Sequence, residues 1–294
     1  MAPIITKSSK QPVRVENRKA NDFVFKSCLV GPIGDLSVLR RSLLFAEIAM
    51  AAYLPADQCN LAAGKLGFTD GKSFCANGVQ ACWFQNQFDS VIVFRGAEIN
   101  HWSEFETDSI ALPVLSETVG KIHRNFKNVA DEIWPQIEND LVKNENSLWF
   151  CGHSVGGAIA TICAARCMLS YIKSEPRELF TFGSPRVGCK RYTNHVKLDH
   201  YRWVNKNDVV TRFPPSRLGY RHAGIEMGVD SLGRLKCLRG LKRISDSIHA
   251  VLSELRRSQT AELAQHLSPA YVDAVFKIVR TRESNPGIWV EPNS

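Results

Sequence analysis

The stretch "GHSVGGAIA", Gly152 to Ala160, sets one serine among glycines and other small residues. A serine hydroxyl is a weak nucleophile unless a base takes its proton and an acid orients that base. If Ser154 is activated in this way, the chemistry is acyl transfer. A bare G-x-S-x-G recurs by chance in many chains, so its flanks decide. Here the apolar run "SLWFC" precedes it and "AIATICAARCMLSYI" follows, which reads as strand, sharp turn and helix. The turn is so tight that a Cβ at the glycine positions would meet neighbouring backbone. The serine then stands at a helix N-terminus, where free N–H groups and the dipole favour developing negative charge. The rival reading is a glycine-rich turn that merely starts a helix, and it leaves both flanks unexplained.

In sheets with such an elbow the chain order is serine, then acid, then histidine. Asp208, in "YRWVNKNDVVTRFPP", falls just past the run ending at Val204, at a strand end. Asp199 precedes that run and belongs to the wrong edge, while Asp230 and Asp246 read as surface carboxylates. The oxyanion hole needs one N–H from Val155 and another from an earlier strand end. "VIVFRGAE" supplies that strand end, and the backbone of Ala97 is assigned the second donor.

The chain has eight histidines. Chain order sets aside His101, His123, His153, His195 and His200, leaving His222, His249 and His266. His249 adjoins Ile248, which forms a helical stripe with Val251, Leu252 and Leu255. His266 precedes Leu267-Ser268-Pro269, with Ser268 as N-cap and Pro269 as first helical residue. Val272, Val275, Phe276 and Val279 then make one helical face. A base needs a loop that reaches over the strand ends, so His266 is favoured as general base over His249.

These groups need a frame. Four apolar or β-branched runs read as buried strands, ending at Phe94, Cys151, Phe182 and Val204. Between the first two, Phe126, Val129, Ala130, Ile133, Ile137 and Leu141 recur at helical spacing. Strand and helix in alternation give an α/β fold, a mostly parallel central sheet with helices on both faces. Ligands in such sheets sit beyond the carboxyl ends of the strands. Residues 1–22 are polar and basic and read as a loose arm. No repeat or low-complexity linker divides the remainder, so 23–294 is expected to be a single domain. The stretch 100–119 is either an apolar flap, through Trp102, Phe105, Ile110, Leu112 and Leu115, or a packed crossover loop. The basic stretch 233–258 reads as a helix, for which core packing of its stripe is favoured over contact with a membrane surface.

A net charge of +8 raises the question of nucleic acid, but the Lys and Arg are scattered and no binding motif occurs. With 294 residues and 44% hydrophobic content, the chain can bury a sizeable core. The nine cysteines form no C-x-x-C pair, so neither a disulfide framework nor a zinc site is indicated. The first residues lack the apolar core of a secretory signal, which makes a cytoplasmic location the default expectation, with secretion left open. The longest apolar stretch, "SLLFAEIAMAAYL", is too short to span a bilayer and contains Glu47.

With these segments in order from about Leu44 to Val275, the sequence resembles the class 3 lipases, the fungal-lipase-like α/β-hydrolases. "VIVFRGAE" is similar to the family's oxyanion strand, "GKIHRNF" to the opening of its long helix, and "GHSVGGAIA" to its nucleophile elbow. "TFGSPRVG" and "NDVVTRFPP" resemble a strand-end signature and the segment bearing the acid, and "QHLSPAYVDAV" the segment around the catalytic histidine. The resemblance implies a serine ester hydrolase of lipase type, without a cofactor. Its partner would be an acylglycerol or related lipid ester, with transient contact at a lipid interface and no nucleic acid. An esterase for short or aromatic acyl groups, a phospholipase, and a lipid-binding scaffold on a degenerate hydrolase frame are the alternatives. The resemblance also gives His222 a structural role and puts 100–119 in the place of the family's lid. Two positions depart from the pattern: Ala97 stands where Thr or Ser is usual, and Gln265 where Asp tends to precede the catalytic histidine.

Overall fold

The computed structural model describes residues 19–76, 79–96, 112–205, 208–230, 233–238 and 268–284. All four expected strands are present: β3 (Asp89–Phe94), β6 (Ser147–His153), β7 (Pro176–Phe182) and β9 (Asp199–Asn205). Their apolar residues point to both faces because both faces of the sheet are covered. Side chains alternate between faces with a period of two. Val91, Val93, Trp149, Cys151, Phe180, Phe182, Tyr201 and Trp203 enter one core, whereas Ile92, Phe94, Leu148, Phe150 and Leu179 enter the other. Each large apolar side chain so buried contributes about 1.5–3 kcal/mol relative to exposure.

The first core is closed by α1 (Val38–Ala51), α2 (Ala56–Leu66) and α6 (Ser268–Ser284), the second by α3 (Arg124–Leu141) and α4 (Val155–Cys167). The apolar run containing Glu47 is α1 itself. Its Glu47 carboxylate is buried and accepts the N–H groups of Lys26 at 2.6 Å and Ser27 at 2.9 Å. Those bonds tie the entering chain to the core, while burial raises the carboxyl's pKa. The residues expected on the α3 face, from Phe126 to Leu141, are all buried.

The eight strands of the main sheet run in the order β1-β2-β3-β6-β7-β9-β11-β12. The pairings from β3 through β6, β7 and β9 to β11 (Ile225–Val229) are parallel. The edges are antiparallel: β1 (Asp70–Ala76) and β2 (Val79–Gln85) on one side, β12 (Leu235–Leu238) on the other. A small antiparallel sheet joins β4 (Pro113–Leu115), β5 (Lys121–His123), β8 (Gly188–Cys189) and β10 (Tyr220–Arg221). The short helix α5 (Lys190–His195) follows β8.

Two expectations change at the edges. The basic stretch from Gly233 does not start as a helix, because Leu235–Leu238 pairs with β11 and closes the sheet; residues 239–267 lie outside the described set. Within the expected N-terminal arm, Ala20–Asp22 forms a 3-10 turn, Ala20 is buried, and Lys65 Nζ donates to its carbonyl at 3.0 Å. No helix among the described residues is long and apolar enough to cross a membrane. Register places the carboxyl ends of the central strands side by side. Phe94 faces Gly152, His153 faces Phe182, and Phe182 faces Trp203.

Candidate active site

Ser154 leaves β6 at this shared edge and caps α4, with φ 59° and ψ −134°. It is the one non-glycine residue with positive φ among those described. Such a conformation costs on the order of 1–3 kcal/mol and persists only where its surroundings hold it. They do so here: the Ser154 N–H donates to Phe182 O at 2.9 Å, and the Ser154 carbonyl accepts from Gly157 N–H at 2.9 Å. Gly156 lets α4 start hard against β3, since a Cβ there would lie 2.2 Å from Phe94 O. Val155 opens the helix, so its N–H has no acceptor within α4 and is free in principle for an oxyanion.

Asp208 leaves the same edge two strands away, beyond β9. Two inter-strand spacings are roughly 10 Å, a gap that a serine side chain, an imidazole and a carboxylate span in line. Asp208 is only 1% exposed. Its Oδ1 accepts Val210 N–H at 2.9 Å and its Oδ2 accepts Tyr271 Oη–H at 2.5 Å. Tyr271 Oη accepts Asn205 N–H at 3.2 Å in turn, so one phenol joins the end of β9, the carboxylate and α6. Asp199 pairs with Glu178 at the opposite edge, as its place before the strand suggested.

The sequence reading missed Tyr271, Tyr53 and the use of His153. Tyr53 Oη lies 2.7 Å from His153 Nδ1 and accepts Gly96 N–H at 3.1 Å. The His153 ring stands edge-on to both tyrosines, at 5.6 Å from Tyr53 and 5.9 Å from Tyr271. These partners lie 43 to 100 residues apart or more than a helix away, and no local pattern signals them.

The other described histidines have structural settings. His123 is buried among Phe126, Phe213 and Tyr220. His200 Nε2 meets Thr181 Oγ1 at 2.8 Å, and burial with the nearby Arg202 pushes its pKa down to about 3. His222 Nε2 meets Thr211 O at 2.8 Å, in keeping with a structural hydrogen bond, and burial holds its pKa well below the usual value. His195 ends α5 and is exposed. His101, His249, His266 and Ala97 lie outside the described residues.

Ser268, expected as the cap of the last helix, is its first residue instead, and its Oγ makes no hydrogen bond among the described residues. Of the stretch 100–119, residues 100–111 are outside the description. Its end is anchored: β4 pairs with β5, and Glu117 bonds Arg166 at 2.8 Å and Lys127 at 2.7 Å. Among the described residues no group of three or more His, Cys, Asp or Glu is placed to hold a metal ion.

Parallel central strands, a strained serine between strand and helix and a buried acid off the next strand but one define an α/β-hydrolase frame. Residues 91–218, from β3 past Asp208, match the family model described as lipase (class 3). Across that stretch the chain is similar to the class 3 lipases. It is 31% identical to a lipase of Rhizomucor miehei over 151 residues, 46% of this chain and 40% of that protein. It is 42% identical over 119 residues to the secreted mono- and diacylglycerol lipase 1 of Fusarium solani, 37% of this chain and 34% of that one. The matches thus span two fifths or less of these relatives' own lengths. A solved structure of the Rhizomucor miehei lipase propeptide complex superposes with a TM-score of 0.59 at 23% identity, covering 73% of this chain and 74% of that one. The default expectation of a cytoplasmic location draws no support from a relative whose name calls it secreted.

Proposed function

We propose that this chain is a serine carboxylic-ester hydrolase of lipase type, acting on acylglycerols or related lipid esters, with residues 23–294 as one catalytic domain. The observation that carries the reading is Ser154, held at φ 59° at the carboxyl edge with a buried Asp208 two strands along. A strained backbone at Ser154 is costly to maintain, and the buried carboxylate two strands along the same edge is placed to orient a base.

In the proposed cycle His266 takes the Ser154 proton as Oγ attacks the ester carbonyl, forming a C–O bond. Asp208 orients the imidazole and stabilises its charge. The N–H groups of Val155 and Ala97 receive the oxyanion. When the tetrahedral intermediate collapses, the bond to the alcohol breaks and His266 returns its proton to the leaving oxygen. Water, deprotonated by the same imidazole, then cleaves the acyl-enzyme to a carboxylic acid and free Ser154. Tyr271 supports the choice of His266, since it bonds Asp208 from the first turns of α6, five residues after that histidine.

The names of the Rhizomucor miehei and Fusarium solani relatives support a lipid ester as substrate. Leu112 and Leu115, 43% and 71% exposed within the described part of the 100–119 stretch, support transient contact with a lipid interface. The test is hydrolysis of a chain-length series of p-nitrophenyl esters, then of an acylglycerol emulsion, by wild type and Ser154→Ala. Turnover should fall on the order of a million-fold in the variant. Near wild-type turnover in Ser154→Ala would end the serine mechanism.

A further inference from the structure

The residue before Ala97 is held from outside its own strand. Gly96 N–H donates to Tyr53 Oη at 3.1 Å, and Tyr53 follows directly from the end of α1. The same oxygen lies 2.7 Å from Nδ1 of His153, the residue before Ser154. The space is closed to anything larger than glycine. A Cβ at Gly96 would lie 2.8 Å from Tyr53 Oη, 2.8 Å from Ser154 Cβ and 3.0 Å from His153 O. Tyr53, the end of the β3 strand and the elbow thus meet at one point, and the Arg95 guanidinium lies 5.8 Å from the Tyr53 ring centre.

The proton inventory sets the direction of these bonds. Desolvation pushes the Tyr53 phenol above its usual range, so it stays neutral with one proton to give. Its oxygen accepts from Gly96, and its proton goes to the remaining partner, His153 Nδ1. His153 is thereby fixed as the tautomer with its proton on Nε2.

We infer that Tyr53 is the positioning residue of the oxyanion hole: it clamps the Arg95–Gly96 peptide, immediately before Ala97, against His153, the residue that leads into Ser154. The inference rests on the hydrolase reading. It also answers the departure at position 97. Where the resemblance leads to Thr or Ser, this chain has a methyl at Ala97, and the hydroxyl that bonds the loop is the phenol of Tyr53, acting through Gly96. Tyr53 itself acts through the backbone and touches no reacting atom.

The test compares wild type, Tyr53→Phe and Tyr53→Phe with Ala97→Ser on one p-nitrophenyl ester, with inhibition by an aryl boronate as a tetrahedral mimic. Tyr53→Phe should lose at least tenfold in kcat, keep KM within twofold, and bind the boronate more weakly by a matching factor. Adding Ala97→Ser should recover part of the loss. A kcat within twofold of wild type, or a loss in KM with boronate binding intact, overturns the inference. If Tyr53→Phe does not fold, 15N correlation spectra of the wild-type chain decide. His153 protonated on Nε2 supports the clamp, and a proton on Nδ1 overturns it. Wild type that turns over esters through Ser154 while Tyr53→Phe is unimpaired refutes this inference alone. A wild type with no Ser154-dependent turnover refutes the hydrolase reading and the inference with it.

Discussion

Two aspartates of this sheet are each 1% exposed, and they sit at opposite edges. Asp89 opens β3 at the amino edge; its Oδ1 accepts Trp149 Nε1–H and its Oδ2 accepts Ile33 N–H, both at 2.8 Å. Asp208 follows β9 at the carboxyl edge, with Val210 N–H and the Tyr271 hydroxyl in the same two roles. By burial and bonding the pair is alike. The difference is the neighbour: Asp89 ties the entering loop to the sheet, whereas Asp208 shares its edge with a serine in a strained backbone. Burial of a charge is therefore not what marks the candidate site. Edge and neighbour mark it.

The comparison breaks if the two aspartates behave alike. Asp208→Asn should lower kcat by roughly ten-thousand-fold, because an amide no longer holds the imidazole in its working tautomer. Asp89→Asn should leave kcat near wild type and cost about 1–3 kcal/mol of stability, since an amide cannot accept both donors. Ester kinetics beside denaturant melts of both variants reads the contrast, and activity loss in Asp89→Asn without unfolding would erase it.

Removing one support of Asp208 sharpens the same point. Tyr271→Phe takes away a hydrogen bond to a buried carboxylate, worth about 1.5–3 kcal/mol. A ten- to hundredfold fall in kcat with little change in KM is expected. If only the melting temperature moved, the phenol would be a packing group.

Between the two edges, buried polar groups should show up in stability alone. His200 has its pKa pushed down to about 3 by burial and Arg202, against roughly 6.5 in an unfolded chain. Its contribution is present in full above the unfolded value. It is lost as pH falls toward the folded value, because only the unfolded chain takes up the proton. Between pH 7.5 and 4.5 wild type should lose roughly 2–3 kcal/mol more than His200→Gln. Equal losses in urea melts at the two pH values would show that His200 is not held neutral.

The smallest effect is expected at the oxyanion loop. Ala97→Ser keeps the backbone donor and adds a hydroxyl, so kcat should stay level or rise a few-fold. The gain is bounded by the roughly 3–4 kcal/mol that a whole oxyanion donor is worth. Activity falling to background would displace Ala97 from the hole.

The contrast also explains what the sequence disclosed. The central strands were legible because a strand covered on both faces must be apolar throughout, as Val91 to Phe94 are. The outer strands were not. β2 sets Gln80 and Gln85 around Ala81–Phe84, and β1 carries Asp70, Gly71, Lys72 and Ser73, so neither is apolar throughout. Ser154 and Asp208 could be singled out as candidates because an elbow and a strand end are local features of the chain. Tyr53, His153 and Tyr271 were not, since each works through a partner distant in sequence: 100 residues separate Tyr53 from His153, and 63 separate Tyr271 from Asp208. The strand at Leu235–Leu238 was not legible because the apolar stripe that suggests a helix, Ile248 to Leu255, lies further along the chain, and a short Lys-bearing segment also suits an edge strand.

The account as a whole turns on one nucleophile at the carboxyl edge with His266 as its base. The most direct measurement is fluorophosphonate labelling followed by peptide mapping, on wild type, His266→Ala and His249→Ala. The account predicts a single label on Ser154, near background in His266→Ala and near wild type in His249→Ala. A label on another residue, or strong labelling in His266→Ala with loss in His249→Ala, would contradict it.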